Sequence, residues 1–286
     1  MSLLPRSLPL SVIILTLNEE EFIARCVGSV PWADEVLVLD SGSTDRTREI
    51  ARGLGATVYE QPWLGWSQQH TQAISLARHD WVLCIDCDEI VTPELAQSIA
   101  EAMQREMHPE DGYYVDRRGD FLGALLPNEQ RPAKRRRAVR LFHRRCSAYD
   151  PQMRVHEEVH VSGHRIALTG VLLHWRGYTI DEYIPVFNRY ATVEAEILRD
   201  AGTRATGALI FWRPLLRFLW CYVYKQEFRL GTRGLIHAGL KAVSEYIRYA
   251  KLWEMQNAPR TLHPPAGLLP GAADAAPASS PQEAAR

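Results

Sequence analysis

Asp86-Cys87-Asp88 is where residue types and spacing in this chain first suggest chemistry. The triplet follows directly on Trp81 to Ile85 (WVLCI), an apolar run that reads as a buried strand. Carboxylates at i and i+2, where a strand breaks into a loop, can converge on one hard cation. Mg2+ or Mn2+ held this way keeps waters and takes its other ligands from a diphosphate, whose charge it neutralises. The same triplet also reads as a solvated turn and helix start. Neither a G-x-G-x-x-G after the first strand nor a G-x-x-x-x-G-K-[ST] is present, so the usual phosphate loops are missing.

Two other spacings compete. His156-Glu157-Glu158-Val159-His160 matches H-E-x-x-H, a zinc-peptidase signature that needs a helix. Here the surroundings alternate instead, with Val155, Glu157, Val159 and Val161 opposite His156, Glu158, His160 and Ser162. On a strand, four residues span about 13 Å, too far for both imidazoles to reach one zinc at about 2 Å. A zinc peptidase therefore stays a remote alternative. Cys84-Ile85-Asp86-Cys87 has C-x-x-C spacing, but Cys84 falls inside the apolar run and no second C-x-x-C exists. A core thiol next to the variable middle residue of D-x-D accounts for it better.

The elements that must position these groups follow from periodicity. Leu10 to Leu17 (LSVIILTL) and Glu35 to Asp40 (EVLVLD) read as buried strands, Ala56 to Tyr59 as a third and WVLCI as the fourth. Helices fall between them: one capped by Asn18 that buries Phe22, Ile23, Cys26, Val27 and Val30, one stopping near Gly55, and one near Ser67 to Ala77. Thr92-Pro93-Glu94 opens another, with Thr92 as N-cap. This alternation predicts an α/β fold with a mainly parallel sheet covered on both faces, and ligands at the carboxyl ends of the strands. The polar runs Thr16 to Glu19, Asp40 to Gly42 and Asp86 to Glu89 fall at those ends. Tyr113 to Arg118, Ala138 to His143, Val155 to Val161 and Ile166 to Leu173 read as antiparallel additions, and the chain from Asp181 as helical.

Composition bounds the rest. The net charge of -1 hides a basic block, Arg131 to Arg145, with eight Lys/Arg and no acid. Thr203 to Trp253 carries nine Lys/Arg against Glu227 and Glu245. The first block lacks interleaved aromatics before Phe142, which argues against nucleic acid. It fits a loop facing donor diphosphate or acceptor phosphate, or a plain solvated loop at Lys134 to Arg137. The second mixes Trp212, Phe218, Trp220, Tyr222, Tyr224 and Trp253 with its bases, as an interfacial helix at an anionic membrane surface does; ordinary packing onto the sheet is the alternative. Ala208 to Tyr224 is broken by Arg213, Pro214 and Arg217, short of the ~20 clean apolar residues a spanning helix needs. Five scattered cysteines and a Met1 to Leu10 segment without a cleavage pattern point to a reducing, cytoplasmic setting, peripheral at the inner face of the membrane. Residues 257–286, rich in Ala and Pro, read as a disordered tail.

The runs SVIILTLNEE (Ser11 to Glu20), VLDSGSTDRT (Val38 to Thr47) and WVLCIDCDE (Trp81 to Glu89), in that order and spacing, resemble the family 2 glycosyltransferases of GT-A fold. Within the family the chain is most similar to bacterial lipopolysaccharide-core β-1,4-glucosyltransferases, whose VHE and basic C-terminal segments recur as Val155-His156-Glu157 and Phe211 to Glu254. The resemblance implies a catalytic domain over 1–178, divided into a nucleotide-sugar half (about 8–110) and an acceptor half (111–178), then a helical membrane-associated extension over 179–256. It implies that Thr16, Asn18 and Glu19 line a nucleoside pocket, that Asp40 binds base or ribose, and that Gly42 lets the backbone approach it. Asp88 becomes the main metal ligand, and Asp86 holds the ribose or sugar-diphosphate region beside it. Relatives often carry Gln-Lys/Arg-Asn before the fourth strand. Here it reads Gln69-His70-Thr71, which keeps the donor-side glutamine and loses a permanent charge. Arg140, in the strand-like AVRLFH, is a further donor-side candidate.

The expected reaction is inverting transfer of a hexose, glucose by resemblance, from a UDP-sugar to a hydroxyl of a lipid-linked or lipopolysaccharide-core saccharide. Glu157 is the candidate base, its pKa raised among valines; an ion pair with Arg140 or Arg154 is the structural alternative. His174 reads equally as a metal or phosphate ligand and as a structural histidine. A nucleotidyltransferase attacking phosphorus and a non-catalytic nucleotide-sugar binder remain the competing classes.

Overall fold

A computed structural model describes residues 7–105, 107–127, 139–149 and 159–258. The first half alternates as expected: β1 (Leu8–Thr16), α1 (Ile23–Gly28), β2 (Ala33–Asp40), α2 (Thr47–Gly53), β3 (Thr57–Glu60), α3 (Trp66–Ser75) and β4 (Trp81–Asp86). β1 is apolar almost throughout because both of its faces are covered. Leu10, Val12 and Ile14 pack with α1 residues Ile23, Cys26 and Val27 on one face, while Ile13 packs with Ala73 and Ile74 of α3 on the other. These four strands are parallel, in the order β3-β2-β1-β4.

The second half continues the same sheet through β8 (Val139–His143), β6 (Gly112–Phe121), β11 (Arg165–His174) and β5 (Glu89–Val91), with β7 (Ala124–Leu125) beside β6. β8 is antiparallel to both β4 and β6. β11 corrects the expectation of purely antiparallel additions: it runs parallel to β6 and antiparallel to β5. α4 (Pro93–Gln104), opened by the predicted Thr92 cap, packs over β11. Gly170 permits that approach: its φ is +89°, and a Cβ there would lie 2.3 Å from the Leu95 amide nitrogen. A separate two-stranded ladder joins β9 (Ala148–Tyr149) to β10 (Val159–His160).

Beyond β11 come α5 (Ile180–Asp200), α6 (Gly207–Leu219) and α7 (Thr232–Asn257), with short helical turns at Trp220–Tyr224 and Glu227–Leu230. The chain forms two compact units. One contains the sheet up to Tyr183 together with Leu219–Gly239; the other contains Ile184–Phe218 and the chain from Leu240. The helical unit has its own small core, where Ala195, Tyr249 and Leu252 meet Leu198, Leu209 and Ile210. Among the described residues no helix is long and apolar enough to cross a membrane.

Candidate active site

Strand register assembles the site. Thr16, the last residue of β1, lies beside Asp40, the last of β2, and Leu15 lies beside Asp86, the last of β4. Sequence segments separated by about seventy residues thus end at one edge of the sheet, as open parallel sheets require.

Asp40 is fully buried and organises the loop after it. Its Oδ1 accepts from the Gly42 and Ser43 amides at 3.1 and 2.8 Å, and its Oδ2 from the Thr16 and Ser43 hydroxyls. Gly42 makes the turn possible at φ +104°. Asn18 does not cap α1, whose first turn has no side-chain cap. It lies at φ +54° and ties two loops together instead: its Oδ1 accepts from the Thr44 amide at 2.8 Å, and its own amide donates to Ser43 Oγ at 2.8 Å. These bonds satisfy loop amides, and α1 begins only five residues further on, at Ile23. Gln69 is buried under the same edge, its Nε2 donating to Ser41 Oγ and the Gln61 carbonyl, its Oε1 accepting from the Leu64 amide. His70 packs its ring on Tyr149, 4.5 Å between centroids.

The acidic triplet divides between two ionic clusters. Asp86 meets Arg140 Nη2 at 3.3 Å and Arg117 Nη2 at 3.9 Å. Burial raises its carboxyl, but the two guanidinium charges overcome this and hold it below the usual carboxylate range. Glu89, fully buried, accepts from both arginines and from the Asp86 amide. In the second cluster, Asp88 Oδ2 is 2.9 Å from His174 Nε2 and 2.5 Å from Arg176 Nε. Here too burial opposes ionisation, and His174 and Arg176 reverse it, so Asp88 is held well below its ordinary value. Glu19 Oε1 accepts from Arg176 Nη2 at 2.6 Å, yet burial leaves its carboxyl raised. Pairing of β11 with β5 sets His174 opposite Glu89 and so brings it onto Asp88.

Two donor atoms of the site bear on a divalent cation. Asp88 Oδ1 and Glu19 Oε2 are buried and have no hydrogen-bond partner among the described residues. Unpartnered buried oxygens are costly unless a ligand meets them. No group of three or more His, Cys, Asp or Glu among the described residues is placed to hold a metal. The two free oxygens would suit a hard cation that takes the rest of its shell from a ligand.

Glu157, its neighbour Glu158, and the basic run 131–137 lie outside the described residues. His160, the second histidine of the peptidase signature, is in β10, paired with Ala148, and not on a helix. The C-x-x-C thiols are both buried; burial pushes Cys84 up to about 12. Sequence reasoning missed Glu89, Arg117 and Arg176. Glu89 stands at the end of the third motif, where the sequence assigns it no role. Arg176 carries no local signal, because its partners lie 88 and 157 residues away.

A four-stranded parallel half with acidic strand ends, extended by a mixed second half and flanked by helices, is the α/β architecture that the GT-A resemblance predicts. The model of the family described as Glycosyl transferase family 2 matches residues 11–163. A lipopolysaccharide core biosynthesis glycosyltransferase, LpsC of Rhizobium meliloti, is 31% identical over 253 residues, which are 86% of this chain and 93% of that protein. A glycosyltransferase of Rickettsia typhi, RT0209, is 29% identical over 86% of this chain and 87% of its own length. A solved glucosyl-3-phosphoglycerate synthase from Mycobacterium tuberculosis, in complex with Mn2+, UDP and glucosyl-3-phosphoglycerate, overlays at TM-score 0.43 and 21% identity, covering 69% of this chain and 81% of that one. The chain belongs to glycosyl transferase family 2, and it is a glycosyltransferase.

Proposed function

We propose that this enzyme transfers a hexose from a UDP-sugar to a hydroxyl of a lipid-linked or lipopolysaccharide-core saccharide, with inversion, at the inner face of a membrane. The observation that carries the donor side is the buried, unpartnered Oδ1 of Asp88 at the carboxyl ends of the parallel strands. The similarity to LpsC, whose name places it in lipopolysaccharide core biosynthesis, supports the acceptor class.

In this reading Thr16, Asn18, Glu19, Asp40 and Gly42 shape the nucleoside pocket. Asp40 acts through the loop it holds, so that backbone groups of Ser41 to Ser43 meet the base or ribose. Gln69 buttresses that loop through Ser41. Asp88 holds Mg2+ or Mn2+, which when bound supplies positive charge to the departing diphosphate. Asp86, fixed by Arg140 and Arg117, orients the ribose or sugar at the edge of that site. Glu157 takes the acceptor proton as the hydroxyl attacks in line from the opposite face.

The test is a thermal-shift panel of nucleotide sugars with and without Mn2+, followed by turnover with donor labelled in the sugar. A UDP-hexose that stabilises the protein only with Mn2+, and whose label moves to a saccharide acceptor, is the expected result. Release of labelled sugar phosphate would instead show cleavage at phosphorus and a nucleotidyltransferase. Asp88→Asn is expected to abolish turnover with the fold intact, since it removes the charge that holds the cation.

A further inference from the structure

Arg176 is held on several sides. Its Nε and Nη2 bond Asp88 and Glu19 at 2.5 and 2.6 Å. Its guanidinium lies 4.9 Å from the Phe22 ring centroid and 5.5 Å from that of Tyr178, so aromatic faces support it on two sides. Its backbone amide and that of Gly177 donate to Asp120 Oδ1 at 3.0 and 3.3 Å, and Asp120 is itself buried. The side chain is thus held from both ends against the two carboxylates whose other oxygens, Asp88 Oδ1 and Glu19 Oε2, are buried and unpartnered.

This arrangement has an electrostatic consequence. Asp88 is the carboxylate assigned above to the cation, and Arg176 already neutralises it. A divalent cation on Asp88 adds two positive charges within a few ångströms of a fixed guanidinium, in a partly desolvated site where such repulsion is poorly screened. A diphosphate relieves the conflict, because its oxygens accept from a guanidinium in the same planar, two-toothed way as a carboxylate does.

Resting on the donor reading above, we propose that Arg176 is a positioning residue that couples cation binding to donor binding: it competes with the divalent cation for Asp88 and Glu19, and its guanidinium turns to the donor's diphosphate when the nucleotide binds. The coupling keeps the cation from occupying Asp88 strongly before the donor arrives. It also gives the diphosphate a positive partner supplied by the protein.

The experiment is a titration of the full chain with Mn2+, read by the paramagnetic resonance signal of free Mn2+, in the absence and presence of UDP. Arg176→Gln is expected to bind Mn2+ about tenfold more tightly than wild type without nucleotide, and UDP about tenfold more weakly with Mn2+ present. Arg176→Lys, which keeps charge but loses the planar fork, is expected to fall between. A merely structural arginine predicts no tightening of Mn2+ at all. An Arg176→Gln variant that keeps its circular dichroism yet binds Mn2+ no more tightly than wild type overturns the proposal. If that variant does not fold, wild type alone decides: Mn2+ affinity is expected to rise at least tenfold with UDP, and equal affinity with and without it overturns the coupling. Wild type that binds no Mn2+ even with UDP sinks the cation reading itself, and this proposal with it. That outcome is distinct from one in which Mn2+ and UDP bind together but Arg176→Gln changes nothing.

Discussion

Arg140 and Glu89 meet at 3.1 Å inside the sheet, one from β8 and one from β5, and Glu89 has no exposed surface. The same carboxylate takes Arg117 from β6, so three strands of the mixed half of the sheet, β5, β6 and β8, converge on one charge. Glu89 thereby sets where Arg117 and Arg140 stand relative to Asp86.

Glu89→Gln is expected to destabilise the protein by about 3 kcal/mol, because it leaves two partly buried guanidinium groups sharing Asp86 alone. It is also expected to weaken nucleotide-sugar binding more than it lowers kcat, since its effect reaches the donor only through the two arginines. Urea denaturation checks the first effect, and calorimetric titration of donor checks the second. A variant of wild-type stability would show that the arginines find other partners.

Thiol chemistry gives an independent check on the C-x-x-C motif. Cys26, Cys84, Cys87 and Cys221 are buried, and Cys146 is exposed. Burial raises the thiols of Cys26, Cys84 and Cys87, Cys84 to about 12, so at pH 8 they stay protonated and poor as nucleophiles. Raising pH toward that value is what would release them, not lowering it. Iodoacetamide on the native protein at pH 8 is expected to modify Cys146 alone, as read by peptide mass. Rapid labelling of Cys84 or Cys87, or a disulfide between them, would revive a redox role.

How much of this was legible beforehand differs between the halves of the sheet. β1, β2 and β4 announce themselves as apolar runs with polar ends, because a parallel strand covered on both faces has no other way to look. Thr16, Asp40 and Asp86 fall at the ends of those runs for that reason. Asn18 was misread because a helix cap and a loop tie use the same side-chain oxygen, and only the distance to Thr44 separates them. The parallel pairing of β11 with β6 was missed because a half-covered strand reads alike in either direction. Arg176 and Glu89 answer to long-range pairing, which no window of sequence contains.

The helical unit bears on membrane contact. On α6, Phe211, Trp212, Leu215, Leu216 and Leu219 are all exposed and recur along one side of the helix. The charge is less free than composition suggested: buried Glu245 takes Arg213, Arg217 and Arg248 at 3.2, 3.0 and 2.9 Å. Apolar insertion should therefore dominate, with a smaller contribution from attraction to anionic lipid. Full-length protein is expected to co-sediment with anionic vesicles, less so at high salt, and Phe211→Ser with Trp212→Ser to lose most of that binding. Sedimentation unaffected by the double substitution would assign these side chains to some other contact.

The proton of the acceptor hydroxyl is the last requirement, and Glu157 is the residue expected to take it. A sugar hydroxyl is a weak nucleophile while it keeps its proton, and positioned transfer contributes about 10²–10⁴-fold. Glu157 stands two residues before Val159 in the sequence; Val159 is buried in β10 opposite Tyr149, and Tyr149 packs on His70. β9 and β10 thus pack against α3. Two of the rival carboxylates have partners of their own. Asp116 pairs with Arg118 at 3.3 Å, and Asp120 holds the backbone of Arg176. Arg140, once an alternative partner for Glu157, is engaged by Asp86 and Glu89. Glu157→Gln is expected to lower kcat by about 10²–10⁴-fold and leave the Kd for nucleotide sugar nearly unchanged. Asp120→Asn is expected to loosen donor binding instead, through Arg176. The two constants measured for the amide variants of Glu157, Glu158, Asp116 and Asp120 decide it. Near-normal kcat in Glu157→Gln, with a collapse in one of the others, moves the role to that residue; loss of the fold in Glu157→Gln marks it as a structural ion pair.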